Sequence, residues 1–406
     1  MAYRCLMLAV VLAAASANAE SVIRRGTAAD APTLDPVIAV GSLAAPIIND
    51  LFEGLLGKDP ALKRIPGAAE SWTISPDGLT YTFRLRPGLQ WSDGVPLTAN
   101  DFVYGYRRLV TPAVASPMAG QFYLLENARD IVTGKLPPEK LGVSAPDPRT
   151  VVLRLSAPAP WFLDLVGALT VSPVPKHVIE KYGNDWTRAD RMVTNGAYTL
   201  AERIPQTMTR LRKNPRYHAA DSVRTEVVEW YPTQDLGTSL RRFQAGELDQ
   251  VLNFPPDEIE RLRREMPESL KVVPSLGVYY LAINLRKAQF ADARARLALS
   301  LAIDREGLTD KLLRTGVKPA FAFVGTNFTN YDGVQLSEEA LPFPARQTEA
   351  RRLLAAAGFG PGKPLTFEYV YDTNEENRKI AVALAAMWQA VGVKAQPVNV
   401  DFGQLN

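Results

Sequence analysis

Few side chains in this sequence are grouped in ways that do chemistry. His177 and His218 are the two histidines, and neither has a second histidine or a cysteine at metal-ligand spacing, so a zinc or iron centre has no donor set. Neither a G-x-S-x-G hydrolase elbow nor an H-E-x-x-H zinc-protease pattern occurs. His177 follows Pro175-Lys176 at a helix start with no nucleophile to serve, and reads as a surface or packing residue. Gly358-Phe359-Gly360-Pro361-Gly362-Lys363 imitates a phosphate loop, yet it follows a helical pattern where a cradle follows a strand, and Pro361 lacks a needed donor. It reads as a helix C-cap entering a turn. Glu375-Glu376 reads as a surface loop, and the run Glu258 to Glu265 as a solvated helix face. What remains is aromatic and amide rich. Tyr279, Tyr280 and Asn284 share one extended segment, and Asn253 ends another. Adjacent tyrosines on a strand face opposite ways, so one of the two must look onto a cavity or solvent.

The elements that position these groups are mixed α and β. Leu79, Tyr81, Phe83 and Leu85 alternate with Thr80, Thr82, Arg84 and Arg86, the pattern of a half-covered strand. Pro76-Asp77-Gly78 and Pro87-Gly88 bracket it with turn chemistry, and Thr98 opens a helix with Asp101 in its first turn. Further helices are expected over 45–55, 176–182, 236–245, 294–301, 305–313, 349–357 and 377–391. Strands are expected over 21–25, 150–155, 227–231, 248–252, 365–371 and 393–400, with two extended pieces inside 271–284. The helix before Gly246, followed by a strand at Leu248, has the form of a βαβ element.

The first residues read as an export signal. Arg4 gives a positive start, Leu6 to Ala15 an apolar run too short to span a bilayer, and Ala17-Asn18-Ala19 a cleavage site. The single cysteine, Cys5, lies within that segment, too early for lipid attachment. Removing Arg4 from the 46 basic residues leaves 45 against 43 acidic ones, a balance that gives no argument for nucleic acid or an anionic membrane surface. No later apolar stretch reaches membrane length, and 406 residues suggest two or three domains.

The block from Ala69 to Leu109, AESWTISPDGLTYTFRLRPGLQWSDGVPLTANDFVYGYRRL, resembles the signature of the family 5 extracellular solute-binding proteins that serve ABC peptide importers. Leu34-Asp35-Pro36, Asp50-Leu51-Phe52-Glu53-Gly54-Leu55, Thr194-Asn195-Gly196-Ala197-Tyr198, Gly246-Glu247-Leu248-Asp249 and Tyr279-Tyr280-Leu281-Ala282-Ile283-Asn284 follow in the family's order. So do Phe290-Ala291-Asp292-Ala293-Arg294 and Ala302-Ile303-Asp304-Arg305. Ser172-Pro173-Val174-Pro175-Lys176 is most similar to the periplasmic oligopeptide-binding branch. The resemblance implies an α/β, two-lobed periplasmic-binding-protein fold of type II, cluster C-like, with an extra domain. The implied layout is a signal over 1–19, lobe I over 20–54 and 176–272, the additional domain over 55–175, and lobe II from 273 to 406. It also implies a monomer in the periplasm that hands oligopeptides to importer membrane subunits, is no enzyme, takes no cofactor and inserts into no membrane.

Carried over by position, the loop around Val40 to Ser42 lines the ligand cleft, and Asn253, Tyr280, Asp372 and Asn377 fall at ligand contacts. Two positions depart: a contact tyrosine after Ser116-Pro117 is Met118 here, and an acidic residue two after Tyr280 is Ala282. Family members run on past the position of Asn406, through a W-x-A-D-Y-x-D-P segment whose aspartate pairs with the peptide's α-ammonium group. The resemblance therefore implies a chain short of its closing portion. Relatives with this fold bind nickel, heme or sugar-derived ligands, which are the nearest alternatives. An exported hydrolase is the other class, disfavoured by the missing nucleophile and base. N-terminal sequencing of the exported protein should begin at Glu20, and a mature fraction retaining Met1 would refute cleavage after Ala19.

Overall fold

The computed structural model describes residues 20–60, 63–272, 277–324, 333–334, 337–373 and 375–400; the expected export segment, 1–19, lies outside these. The chain divides into two units, Met1–Phe254 and Pro255–Asn406.

The strands of unit one are, in order, β1 (Val22–Thr27), β2 (Leu56–Lys58), β3 (Arg64–Pro66), β4 (Ala69–Ile74), β5 (Thr80–Leu85), β6 (Val143–Asp147), β7 (Thr150–Arg154), β8 (Tyr198–Ile204), β9 (Met208–Lys213), β10 (Val227–Pro232) and β11 (Gln250–Val251). They form a five-stranded sheet, β11-β1-β10-β9-β8, a four-stranded sheet, β4-β5-β7-β6, and the hairpin β2-β3. β1 runs parallel to both of its neighbours, β10 and β11. Buried on both faces, the start of β10 carries the continuous apolar run Val227-Val228 that such an interior strand requires. The helix Leu236–Gln244 links β10 to β11, with the Asp235 carboxylate accepting from the Thr238 N–H at its start and Gly246, at φ +75°, just beyond its end. The expected βαβ element thus forms, although its last strand keeps only two ladder residues of the five expected.

The β5 alternation also forms: Tyr81, Phe83 and Leu85 are buried while Thr80, Thr82 and Arg84 are not. Gly78 takes φ +69° in the preceding turn, where the Asp77 carboxylate accepts from the Leu79 N–H. The helix Ala99–Val110 is closed at its start by Asp101, which accepts from the Thr98 N–H at 2.8 Å. Phe102, Tyr106 and Leu109 on one face join Phe83, Trp91, Phe122 and Phe162 in one core.

In unit two, β12 (Thr366–Asp372) and β13 (Lys394–Val400) pair in parallel. Helices Ala293–Leu301, Phe343–Ala356 and Glu375–Gln389 contribute Leu299, Leu353, Leu384 and Trp388 to a second core. The Trp388 indole donates to the Leu299 carbonyl at 3.0 Å, which satisfies its one polar atom. Gly358 takes φ +85° after its helix, and Gly360 and Lys363 pair across a tight turn, so the glycine-rich stretch is the expected cap and turn. The expected helix over 305–313 is instead a short α-turn, Arg305–Gly307, continued by the π-helix Leu308–Leu313. Residues 277–284 carry no strand, yet Leu281 and Ile283 pack on the second core while Tyr280, Ala282 and Asn284 are exposed. The two-residue alternation survives over 280–284 without ladder pairing, whereas Tyr279 is exposed like its neighbour.

Asp50, in the helix Ala45–Leu51, lies 3.4 Å from the Arg25 guanidinium. Burial nevertheless outweighs that partner and pushes its carboxyl from the ordinary 3.8 up to about 6. The folded state holds the proton more tightly than the unfolded chain, so this group's contribution to stability falls as pH rises from 3.8 to 6. Asp50→Asn should remove that decline, which amounts to at most about 3 kcal/mol. Urea midpoints at pH 4 and pH 7 check this, and equal pH dependence in the two proteins would contradict it.

Candidate functional site

The loop that follows Leu34 is built around one buried carboxylate. Asp35, 3% exposed, accepts from Arg108 through both oxygens at 2.9 and 2.6 Å. Its Oδ2 also accepts from the Trp186 indole at 3.3 Å, and its Oδ1 from the Val37 N–H at 3.0 Å. The backbone turns here, as the Ile38 and Ala39 N–H groups both donate to the Asp35 carbonyl. The next tie is Ser116, whose hydroxyl donates to the Val37 carbonyl at 2.6 Å and accepts from the Met118 N–H at 3.2 Å. Loop, helix Ala99–Val110 and the segment carrying Met118 are thereby locked together.

Above this frame lies a concavity of about 200 Å³. Val40, Met118, Ile48 and Leu169 supply its apolar wall, with Pro36, Ala39, Gly41 and Ala45, and Thr170 brings the one hydroxyl among the lining residues. Gly41 takes φ +83°, a conformation that lets the loop turn over the rim. Ser42, the residue expected to touch ligand, is exposed in the turn beside the cavity and is not among its lining residues. Asn253 is also exposed, two residues past β11 at the end of unit one.

Tyr280, Asp372 and Asn377 belong to unit two. Tyr280 is 60% exposed and meets the Phe323 ring edge-on, with centroids 5.1 Å apart. Its neighbour Tyr279 turns the other way, with its phenol 3.4 Å from that of Tyr369 on β12. Asp372 ends β12 and Asn377 lies in the first turn of Glu375–Gln389, and the Asn377 amide donates to the Asp372 carboxylate. Within this unit the structure therefore brings Asp372 and Asn377 into contact.

Two polar clusters escape sequence reading because their members lie far apart in the chain. Glu53 accepts from the Tyr217 hydroxyl at 2.7 Å and pairs with the His218 ring at 2.8 Å. Burial, reinforced by the Glu53 charge, pushes the Tyr217 phenol upward, so it stays a donor. His177 pairs with Asp93 at 2.8 Å and meets the Trp91 ring edge-on. Each histidine is thus engaged by one carboxylate. Among the described residues no group of three or more His, Cys, Asp or Glu is arranged to hold a metal, and no helix is long and apolar enough to cross a membrane.

The family motifs that revealed the resemblance mostly hold the frame together. Asn195 of Thr194-Asn195-Gly196 pairs with both the N–H and the carbonyl of Glu53, and the Gly196 N–H donates to the Leu51 carbonyl. A Cβ at Gly196 would sit 2.6 Å from the Leu51 carbonyl carbon, so no larger residue fits that approach.

Residues 63–406 match the model of the bacterial extracellular solute-binding proteins, family 5. The periplasmic murein peptide-binding protein MppA of Escherichia coli is 39% identical over 376 residues, 90% of this chain and 68% of that protein. The periplasmic oligopeptide-binding protein OppA of Salmonella typhimurium is 37% identical over 98% of this chain and 76% of its own length. Among solved structures, Haemophilus influenzae OppA in complex with the peptide RPPGFSPFR matches at a TM-score of 0.86 and 34% identity, covering 95% of this chain and 76% of that one. This chain belongs to the family 5 bacterial extracellular solute-binding proteins.

Proposed function

We infer that the protein is an extracytoplasmic receptor that captures oligopeptides and delivers them to the membrane subunits of an ABC importer. The observation that carries this reading is the likeness, over 95% of the chain, to a relative solved with a peptide in place. A peptide receptor recognises main-chain amides and carbonyls, which every peptide offers, and leaves side chains to adaptable, hydrated pockets.

Several finer parts belong to the same proposal. The chain is exported by the segment over 1–19 and works in the periplasm as a monomer, without stable membrane insertion. Lobe I comprises 20–54 and 176–272, the additional domain 55–175, and lobe II the residues from 273. Ser42, Asn253, Tyr280, Asp372 and Asn377 serve ligand contact. In support, Ser42, Asn253 and Tyr280 are exposed, and the Asp372 and Asn377 side chains already meet.

Mass spectrometry of material released from the purified full-length protein, followed by calorimetry with a tripeptide and a five-residue peptide, tests the reading. Peptides recovered intact and saturable one-to-one binding are the expected results. Recovery of nickel, heme or a sugar derivative, with no heat from any peptide, would replace the ligand. Cleavage of the added peptides would replace the receptor with a hydrolase.

A further inference from the structure

We propose that a second concavity, formed by residues 123–130 and Ser156, is a binding site for a small, singly charged carboxylic acid held by the Arg129 guanidinium. It shares no residue with the concavity beside Val40 or with the five expected contact positions, so it stands apart from the receptor reading. Its volume of about 460 Å³ lies within the range of small-molecule sites. Three charged residues line it, Glu126, Arg129 and Asp130. Each of the two carboxylates already has its own cation. Glu126 lies 3.5 Å from the Arg154 guanidinium, and Asp130 lies 3.3 Å from the Lys135 ammonium group. Among the described residues no carboxylate comes within ion-pair distance of Arg129, whose guanidinium instead lies over the Tyr123 ring, 5.3 Å from its centroid. Arg129 is thus the one uncompensated charge among the lining residues.

Stacking holds a guanidinium by its face and leaves the N–H groups at its edge free to donate. A carboxylate matches that planar fork with two parallel hydrogen bonds. A phosphate dianion would meet the same fork, but Glu126 and Asp130 would repel its second charge more strongly than they repel a single one. The Tyr123 ring, with the buried Leu125 and Ala128, offers apolar surface to the hydrocarbon part of the acid. The frame is also set before any ligand arrives. Glu126 donates its N–H to the Arg154 carbonyl and accepts from the Gly142 N–H, and the Leu124 carbonyl accepts from both the N–H and the hydroxyl of Ser156. Asn127 takes the left-handed conformation, at φ +66°, which asparagine tolerates, and its amide donates to the Lys140 carbonyl at 2.7 Å. The loop is therefore clipped on both sides, and only the exposed Arg129 has to settle onto a ligand.

The test is saturation-transfer NMR of benzoate, and separately of inorganic phosphate by phosphorus NMR, with the full-length protein. Benzoate should bind saturably, and more tightly than phosphate. Arg129→Gln should weaken benzoate at least about tenfold, the loss expected for charge-assisted hydrogen bonds. Arg129→Lys, which keeps the charge but not the fork, should fall between the two. One equivalent of a pentapeptide should not displace benzoate, and Arg129→Gln should bind that pentapeptide as the wild type does. Benzoate that fails to bind, that binds Arg129→Gln as well as the wild type, or that leaves when the pentapeptide is added would overturn the site. Phosphate binding more tightly than benzoate would overturn the carboxylic acid as its ligand.

Discussion

The buried carboxylate of Asp35 is the constraint on which the rest of unit one depends. It is nearly inaccessible to water and serves four donors from three separate parts of the chain. Such a group is a poor source of net stability, because desolvating two ions takes back most of what their attraction yields. Its value lies in geometry. A loop that could otherwise lie several ways has one arrangement in which the carboxylate is satisfied, and in that arrangement Val40 and Met118 line one apolar concavity. Removing either partner would leave a buried ion alone, so the two positions are tied to each other although 73 residues separate them.

A second polar junction repeats the logic one layer away. Glu53 uses its backbone to hold Asn195 and its carboxylate to hold Tyr217 and His218. Asn214 then reaches the Gly196 carbonyl through its amide and the Ala197 carbonyl through its N–H. Short motifs distributed over the sequence are thus halves of the same contacts. Their specificity as a family signature follows from this, since changing one half strands the other.

Local patterns were legible where local physics decides the outcome. The β5 alternation, the Thr98 and Asp101 start of the following helix, and the helix Lys176–Tyr182 all form where their residues place them. The Gly358 turn belongs with these, because a glycine with positive φ ends a helix without help from distant residues. Long-range pairing decides the rest. Nothing within Val22–Thr27 says that it lies between two parallel partners, and 277–284 alternates like a strand yet has no ladder. The pocket was the least legible feature. Ile48 and Leu169 look like ordinary core positions, and what makes them wall residues is the space left by the loop above them. Ser42 directly follows Gly41, a lining residue, and is itself exposed.

The place of β1 in its sheet bears on how such a chain comes into being. The strand is the first element after residue 20, yet Val22 pairs with Val227 and Arg25 with Gln250. A polypeptide that emerges N-terminus first, from a ribosome or through a membrane pore, exposes this strand long before either neighbour exists. The five-stranded sheet can only close once the helix Leu236–Gln244 has followed. Contacts this distant in sequence make folding slow, since a long loop must be closed before any pairing repays it. Delay is a handicap inside a cell, where an unpaired strand invites aggregation. Under the export proposed above, the same delay would keep the passenger threadable until its last strand has arrived.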